Sequence, residues 1–433
     1  MTEVRISFAE ATPGVIRASA LRSVSAAIAG NTLEVYDFLC YSFFAVTIGK
    51  QFFPASDALT SLLLSVGTFG VGFLARPIGA VVIGAYADRV GRKPAMTLTI
   101  SLMALSTAVL ACAPTYDMIG LFAPVIVVAA RLMQGFSAGG EMGTATSFII
   151  ETAPSDRRGL YASWMNASQG IALILAGAIG LGLSTMLSPQ TFETWGWRAA
   201  FLVGLLIAPV GFYIRNQLPE SFEPRHAREN ASSKLGIVCR HHGRLVVLGI
   251  LTIMSGAVSF YVVSYLTTYA IATLKLPTSI SLAAPFVSGV TALLGSILGG
   301  ILADRFGRRI VMILPRIALI FVALPSFLLL SRYPAPETLF LASAGLMALQ
   351  SISGAVMSVL LPEALPASVR TTGFSLIYTV GVTLFGGPTQ LILTWLIGVT
   401  GDPVSPAYYL MAANFISVIA MIFLSETRGK PLS

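Results

Sequence analysis

Long apolar runs recur along this chain from end to end, and they limit its fold more than any other feature. A helix needs about 20 apolar residues to cross the roughly 30 Å hydrocarbon core of a bilayer. Apolar runs of about that length or more lie near residues 23–49, 58–86, 94–114, 120–150, 160–187, 197–216, 244–274, 281–303, 309–331, 338–361, 367–398 and 405–425. They are too long and too uniformly apolar for the alternating strands of a membrane β-barrel. The pattern predicts an all-α membrane protein with twelve transmembrane helices.

The composition excludes several other classes of protein. Only 11% of the 433 residues are Asp, Glu, Lys or Arg, against about 25% in a soluble domain, and the mean hydropathy is +0.81. A cytosolic enzyme, a secreted disulfide scaffold and a disordered chain are therefore excluded. Cys40, Cys112 and Cys239 show neither a pairing pattern nor a metal-binding spacing. The charged first 22 residues do not resemble a cleavable signal peptide.

The basic residues predict the orientation in the membrane. Of the 27 Lys and Arg residues, 20 fall on one side of the predicted spans and four on the other, while Arg76, Arg131 and Arg316 lie within spans. The excess marks the cytoplasmic side of the inner membrane and places both termini there. The net charge of +8 is thus a signal of topology rather than of nucleic-acid binding.

Two similar loops half a chain apart predict an internal repeat. Residues 84–93 read GAYADRVGRK and residues 300–309 read GILADRFGRR, and the pair Glu151 and Arg158 recurs as Glu363 and Arg370. The predicted parts are a cytoplasmic tail at 1–22, a six-helix bundle at 23–216, a cytoplasmic linker at 217–243, a second six-helix bundle at 244–425 and a tail at 426–433. Parallel repeats of this kind favour a transporter with its site between the two halves.

Charged residues of the repeated loops are candidates for a gate. Carboxylates can cap helix N-termini, and arginines can pair with acids at other helix ends. The predicted latch between the halves consists of Asp88, Arg89, Arg92, Glu151, Asp304, Arg305, Arg308, Glu363 and Arg370. The alternative interpretation is an ordinary basic turn.

These loops and several other segments resemble a known family. The pattern Gly-x-x-x-Asp-Arg-x-Gly-Arg-Arg/Lys is similar to the signature of the major facilitator superfamily. Four further segments resemble the metabolite–proton symporter branch of that superfamily. They are residues 30–38 (GNTLEVYDF), 72–79 (GFLARPIG), 131–141 (RLMQGFSAGGE) and 195–198 (WGWR). Within that branch, four shorter segments resemble the citrate and tricarballylate symporters. They are residues 52–54 (FFP), 369–376 (VRTTGFSL), 385–387 (FGG) and 400–402 (TGD).

The resemblance implies a mechanism. Two bundles would rock about a central site while substrate and proton move inward together, driven by the proton gradient and without a cofactor. We expect a monomer. Transporters for 2-oxoglutarate, shikimate and betaines share much of the same pattern, so the substrate stays open among these classes.

Polar groups within the spans are candidates for the transport site, because charges in the membrane core are costly. Asn31, Glu34, Asp37 and Tyr41 are spaced by three, three and four residues, which places them on one helix face. At 1.5 Å per residue, a layer about 9–16 Å from the cytoplasmic side would contain Glu34, Arg76, Glu141, Asn166 and Gln169. The alternative is a packing network that only fixes the bundle.

Buried arginines indicate an anionic substrate, since a guanidinium binds carboxylates and stays protonated. Arg76 and Arg131 are the candidates, although Arg76 could instead pair permanently with Glu34 or Glu141. Arg316 is expected to extend to the cytoplasm. Further predicted substrate contacts are Asn31, Tyr41, Gln134, Asn166, Gln169, Tyr265, Tyr378 and Gln390.

The proton carrier is predicted to be a carboxylate. His226, His241 and His242 all lie in the middle loop, so no histidine relay crosses the membrane. Burial raises the pKa of a carboxyl group, and Asp37 is the first choice, with Glu34 and Glu141 as alternatives.

The function predicted is the import of a small di- or tricarboxylate together with protons. Uptake of a zwitterion and export of cationic drugs are alternatives, although the two arginines oppose a purely cationic cargo. A membrane hydrolase would require a Ser/His or metal constellation at membrane depth, and a receptor would require a larger extramembrane domain. Neither feature is present in the sequence.

Overall fold

The fold is known from a computed structural model that describes residues 13–90, 92–139, 141–216, 236 and 238–432. The first half contains α1 Pro13–Phe43, α2 Ala45–Phe52, α3 Ala58–Leu74, α4 Arg76–Val90, α5 Arg92–Cys112, α6 Tyr116–Ile119, α7 Phe122–Ala138, α8 Glu141–Thr152, α9 Arg158–Met186, α10 Pro189–Thr191 and α11 Trp197–Asn216, with a π-helical turn at Phe192–Gly196. The second half contains α12 Gly243–Ala272, α13 Thr278–Phe306, α14 Arg308–Arg332, α15 Pro336–Glu363, α16 Arg370–Gly381, α17 Thr389–Thr400 and α18 Ser405–Ile422, with a π-helical turn at Val382–Gly386.

The prediction of an all-α membrane protein is confirmed. Eight helical stretches within the described residues are long and apolar enough to cross a membrane, and shorter apolar helices lie at Thr97–Cys112 and Phe122–Ala138. Most of the predicted linker, residues 217–235 and 237, lies outside the described part, so its boundaries stay a prediction.

Some predicted spans consist of more than one helix. The second span is divided into α3 and α4 at Ala75, close to Pro77, which has no N–H group to donate to the carbonyl oxygen of Phe73 four residues earlier. The eleventh span is divided by the π-helical turn that ends before Gly387 and Pro388. These divisions place backbone groups of both spans beside the interface between the halves, where Gly70 lies against Gly387.

The two halves pack most extensively through α9 and α13. A Cβ atom added to Gly170 would lie 2.6 Å from the backbone nitrogen of Leu293, and one added to Gly289 would lie 2.5 Å from that of Ile174. Only glycine permits such a close approach of two helices at these positions. This packing holds α9 against the second half, and α9 also contributes Asn166 and Gln169 to the wall of a cavity between the halves.

Candidate functional site

A cavity lies between the two halves, and both contribute to its wall. Its volume, as space open to the centres of water molecules, is about 70 Å³. About 10–15 Å³ of such space holds one water, so the cavity is narrow. Its polar lining consists of Asn31, Glu34, Arg76, Asn166, Gln169, Tyr261, Gln350, Ser358 and Tyr378.

The cavity wall contains a buried ion pair. Nη2 of Arg76 lies 3.3 Å from Oε1 of Glu34, and both side chains are buried. The guanidinium lies 4.6 Å from the ring centre of Phe38 and 4.5 Å from that of Phe73. Among the described residues, nothing accepts a hydrogen bond from Nε of Arg76. A cation is therefore fixed at the wall with part of its hydrogen-bonding capacity unused.

Two asparagines hold the surrounding helices in place. Nδ2 of Asn31 donates to Oγ of Ser168 at 2.6 Å. Nδ2 of Asn166 donates across the interface to Oγ of Ser358 at 2.8 Å and to the carbonyl oxygen of Gly354 at 3.2 Å. Asn166 thus joins α9 to α15 at the cavity wall.

A second pocket lies within the first half, behind α1. It offers about 40 Å³ to water centres, and its lining includes Glu34, Asp37 and Thr107. Oδ2 of Asp37 accepts a hydrogen bond from Thr107 at 2.6 Å. Within the described chain, Oδ1 of this buried carboxylate has no donor. Because Glu34 also lines the central cavity, it lies between the two compartments.

Arg131 and Gln134 belong to this internal network rather than to the cavity wall. Nη1 of Arg131 donates to Oε1 of Gln134 at 2.6 Å, and Nε2 of Gln134 donates to Oγ1 of Thr107 at 3.2 Å. The fully buried Arg131 also lies 4.4 Å from the ring centre of Phe38. The network connects the arginine to Asp37 through two neutral side chains.

Three other predicted substrate contacts lie beyond one end of the cavity. Nε2 of Gln390 donates to Oγ of Ser42 at 2.5 Å, which joins the two halves. The hydroxyl of Tyr265 accepts a hydrogen bond from Thr394 at 2.9 Å, and that of Tyr41 donates to the carbonyl oxygen of Ser65 at 3.3 Å. Of these three contacts, only that between Gln390 and Ser42 joins the halves, and the other two lie within one half each. The roles of Tyr41, Tyr265 and Gln390 in substrate binding stay predictions.

Ion pairs and helix caps join the two halves at the basic face, which we define as the end of the bundle with Arg158, Arg308 and Arg370. The carboxylate of Asp304 accepts the backbone N–H groups of Gly159 at 2.8 Å and Leu160 at 2.9 Å, and so caps α9 of the opposite half. Arg370 pairs with Glu151 across the halves at 3.0 Å.

A second set of ion pairs at the basic face surrounds Glu363. Its carboxylate lies 3.3 Å from Arg308 and 3.8 Å from Arg158, and Arg308 also contacts Asp304 at 2.8 Å. Arg305, in contrast, is exposed and lies over the ring of Phe306. The residues of the second repeat are thus assembled at the interface, while their part in gating stays a prediction.

The C-terminal segment also binds to the basic face. The carboxylate of Glu426 accepts the backbone N–H groups of Arg308 at 2.9 Å and Arg309 at 3.0 Å. Burial raises the pKa of Glu426, but hydrogen bonds from these N–H groups and from those of Thr427 and Arg428 lower it by a larger amount. The pKa of Glu426 is therefore below its usual range. The segment therefore caps α14 where the repeated loop ends.

The expectation for Arg316 is wrong. This side chain does not reach water but is fully buried within the second half. Nε donates to Oγ of Ser353 at 2.8 Å, and Nη1 donates to Oγ of Ser259 at 3.0 Å and to Oδ1 of Asn414 at 3.3 Å. Acceptors on three other helices replace the water that an extended side chain would seek.

Some predicted residues cannot be placed in the site. The side chains of Glu141, Asp88, Arg89 and Arg92, and all of His226, lie outside the described part of the structure. The roles proposed for Glu141, Asp88, Arg89 and Arg92 stay predictions.

Three polar residues of the cavity wall were absent from the predicted site: Tyr261, Gln350 and Ser358. Gln350 is an isolated glutamine within an apolar span, which is a usable signal. Tyr261 belongs to the same stripe as Tyr265, but residues four apart on a helix drift by about 40°. Only the rotation of α12 about its own axis decides which of the two tyrosines faces the cavity.

The sequence matches the model of the Major Facilitator Superfamily over residues 28–388. A citrate-proton symporter of Klebsiella pneumoniae is 38% identical, over 96% of this chain and 93% of the relative. One of Salmonella typhi is 34% identical, over 97% and 98%. A glycine betaine/proline/ectoine/pipecolic acid transporter, OusA of Dickeya dadantii, is 31% identical, over 95% and 84%.

Solved structures share the arrangement of helices. The partially occluded inward-open conformation of the xylose transporter XylE from E. coli has a TM-score of 0.77 at 19% identity, with 96% of this chain and 100% of that chain covered. A crystal structure of a D-xylose-proton symporter has a TM-score of 0.76 at 19% identity, with coverage of 96% and 100%. At this identity the likeness concerns the fold alone.

Proposed function

Because this chain belongs to the Major Facilitator Superfamily, we propose that it is a proton-coupled symporter that imports a small di- or tricarboxylate by alternating access. Citrate and tricarballylate are the proposed substrates, and the proposed location is the inner membrane with both termini in the cytoplasm. We propose that the working unit is a monomer. The two citrate-proton symporters among its relatives support the substrate class.

The observation that carries this proposal is the position of Arg76. Its guanidinium lines the cavity between two aromatic rings, which hold it in one orientation. Glu34 neutralises it in the absence of substrate. A substrate carboxylate can form a bidentate interaction with the same guanidinium. It then replaces the carboxylate of Glu34 as the anion bound to Arg76. Permanent pairing and substrate binding are thus two states of one arginine.

Asp37 is the proposed proton carrier. It is buried, it contacts Thr107, and one of its oxygens has no donor within the described chain. Its pocket is separated from the central cavity by Glu34, which lines both. Proton binding at Asp37 can therefore alter the charge balance around Glu34 and Arg76 without direct contact with the substrate. Glu34 and Glu141 are the alternative carriers.

Alternating access is proposed to work by opening one closed end at a time. Ser42 and Gln390 join the halves at one end, and Asp304 caps α9 at the other. Since the cavity has room for only a few water molecules, the proposed entry of substrate requires that one set of contacts break.

A zwitterionic substrate such as a betaine is the second candidate. The cavity presents both a carboxylate and a guanidinium, and the rings of Phe38, Phe260 and Tyr261 line it. Aromatic faces bind quaternary ammonium groups, and one of the relatives transports glycine betaine.

Uptake by purified protein in liposomes distinguishes these candidates. With the outside acidic, we expect the wild type to accumulate labelled citrate or tricarballylate, and Arg76→Ala to abolish uptake while the protein stays folded. Arg76→Lys should retain part of the activity, because it keeps the charge but loses the fork. Normal uptake by Arg76→Ala would remove Arg76 from the site. Accumulation of glycine betaine alone would favour the second candidate.

A further inference from the structure

A second buried arginine lies just behind the opposite wall of the cavity. Arg316 is fully buried, and no carboxylate of a described residue lies within 4.0 Å of it. Its partners are neutral: Oγ of Ser353, Oγ of Ser259 and Oδ1 of Asn414, with the carbonyl oxygen of Ser255 at 3.1 Å. A positive charge is thus held in the second half without an anion of its own in the described structure.

The remaining nitrogen of Arg316 is directed towards the cavity wall. Nη2 has no hydrogen-bond acceptor among the described residues. It lies 3.9 Å from the point where a Cβ atom on Gly256 would be, and Sδ of Met357 lies 3.1 Å from the same point. Gly256 and Met357 both line the cavity. Nη2 therefore lies close behind two residues of the cavity wall, one without a side chain and one with a flexible thioether.

The backbone of α12 is fixed at this position. Nε2 of Gln350 donates to the carbonyl oxygen of Gly256 at 3.0 Å, while Ser353 and Asn414 hold the guanidinium from α15 and α18. The guanidinium is thus pre-organised, and rotation of the flexible Met357 side chain is a movement that would bring Nη2 nearer to the cavity.

We infer that Arg316 is a specificity-determining residue, whose Nη2 binds a carboxylate of the substrate that Arg76 does not engage. This inference rests on the proposed function and narrows its substrate class to acids with at least two carboxylates. One carboxylate is bound by the first half through Arg76, and the other by the second half through Arg316. A dicarboxylate or tricarboxylate can therefore connect the two halves, whereas a monocarboxylate engages only one of them.

The test measures the binding of three acids to the purified full-length protein. Dissociation constants for tricarballylate, glutarate and butyrate are obtained from the concentration dependence of the melting temperature. Arg316→Gln removes the charge but keeps hydrogen-bonding groups. We expect it to weaken binding of the two polycarboxylates by about 10- to 100-fold, as for loss of a charged hydrogen bond, and to leave butyrate within about twofold. Arg316→Lys should restore part of the preference.

Two further variants separate substrate contact from structural support. Gly256→Ala leaves Arg316 in place but adds a methyl group beside Nη2, so it should reduce the preference for polycarboxylates in the same direction. Tyr269→Phe removes the hydrogen bond from the Tyr269 hydroxyl on α12 to the carbonyl oxygen of Pro403, which does not involve Arg316, and it should lower the melting temperature without changing the preference.

Three outcomes overturn the inference. These are unchanged dissociation constants in Arg316→Gln, an equal loss for all three acids, and an unchanged preference in Gly256→Ala if Arg316→Gln fails to fold. A wild-type protein that binds none of the acids refutes the proposed function itself, and this inference with it. That failure is recognisable, because it appears before any substitution is made.

Discussion

The cap that Asp304 provides to α9 should favour the state in which the basic face is closed. Its carboxylate accepts two backbone N–H groups of the opposite half and contacts Arg308 within its own half. Loss of an Asp cap costs about 0.5–2 kcal/mol. The open state has already lost the two contacts with α9, whereas the contact with Arg308 exists in both states, so loss of the cap in Asp304→Ala destabilises the closed state relative to the open one. A loss of about 1–2 kcal/mol shifts the equilibrium towards the open state by about 5- to 30-fold.

Distances between spin labels can measure this shift. Ser155 and Ser368 are exposed positions in the loops that precede α9 and α16, one in each half. Exposed Cys112 and Cys239 are replaced by serine, and buried Cys40 is retained. We expect Asp304→Ala to increase the population with a long distance between the labels on the basic face.

A matched control comes from the opposite end of the molecule. Asp402 caps a backbone N–H group of Val404 at 2.8 Å, two residues away in the same half. Asp402→Ala removes a similar cap without separating the halves, so the label distances should not change. If Asp304→Ala gave the wild-type distance distribution, the argument that this carboxylate latches the halves would be refuted.

Three other substitutions test the coupling, the tail and the packing of the halves. Asp37→Asn should abolish pH-driven accumulation in liposomes but keep substrate exchange, because the site remains while its proton carrier is lost; unchanged accumulation would exclude Asp37. The carboxylate of Glu426, with its lowered pKa, should hold the C-terminal segment above a pH of about 4.3, the ordinary value, and release it as the pH falls through the folded-state pKa. Glu426→Gln should therefore accelerate hydrogen exchange of that segment even at neutral pH, and an unchanged rate would argue against the clamp. Gly170→Ala should destabilise the fold by about 1–3 kcal/mol through overpacking, whereas Gly182→Ala, where no atom lies within 4 Å of the added carbon, should leave the melting temperature unchanged.

The sequence predicts the fold class and the family well, for identifiable reasons. Apolar runs and the repeated loops predict two six-helix bundles, and the predicted membership of the major facilitator superfamily is confirmed. Depth along a helix follows from a fixed rise per residue, and that arithmetic brought Glu34 and Arg76 to one layer. The structure places them 3.3 Å apart.

What the sequence does not provide is the rotation of each helix about its own axis. The depth of Arg131 within the membrane can be predicted, but the rotation of α7 directs its side chain into the first bundle and away from the central cavity. The same limitation applies to Tyr265, which contacts Thr394 while Tyr261 lines the cavity. The acceptors of Arg316 are single serines and an asparagine in distant spans, and only tertiary packing brings them together.

The attachment of the C-terminal segment has a practical consequence for work with this protein. Glu426 caps α14, Thr427 donates to Glu363 at 2.6 Å, and the carbonyl oxygen of Lys430 accepts from Arg158 of the other half at 3.4 Å. An affinity tag or fluorescent fusion joined directly after this segment would compete with these contacts at the basic face. Fusion proteins should carry a long spacer there, and transport rates from tagged and untagged preparations should be compared before either is taken as the native rate.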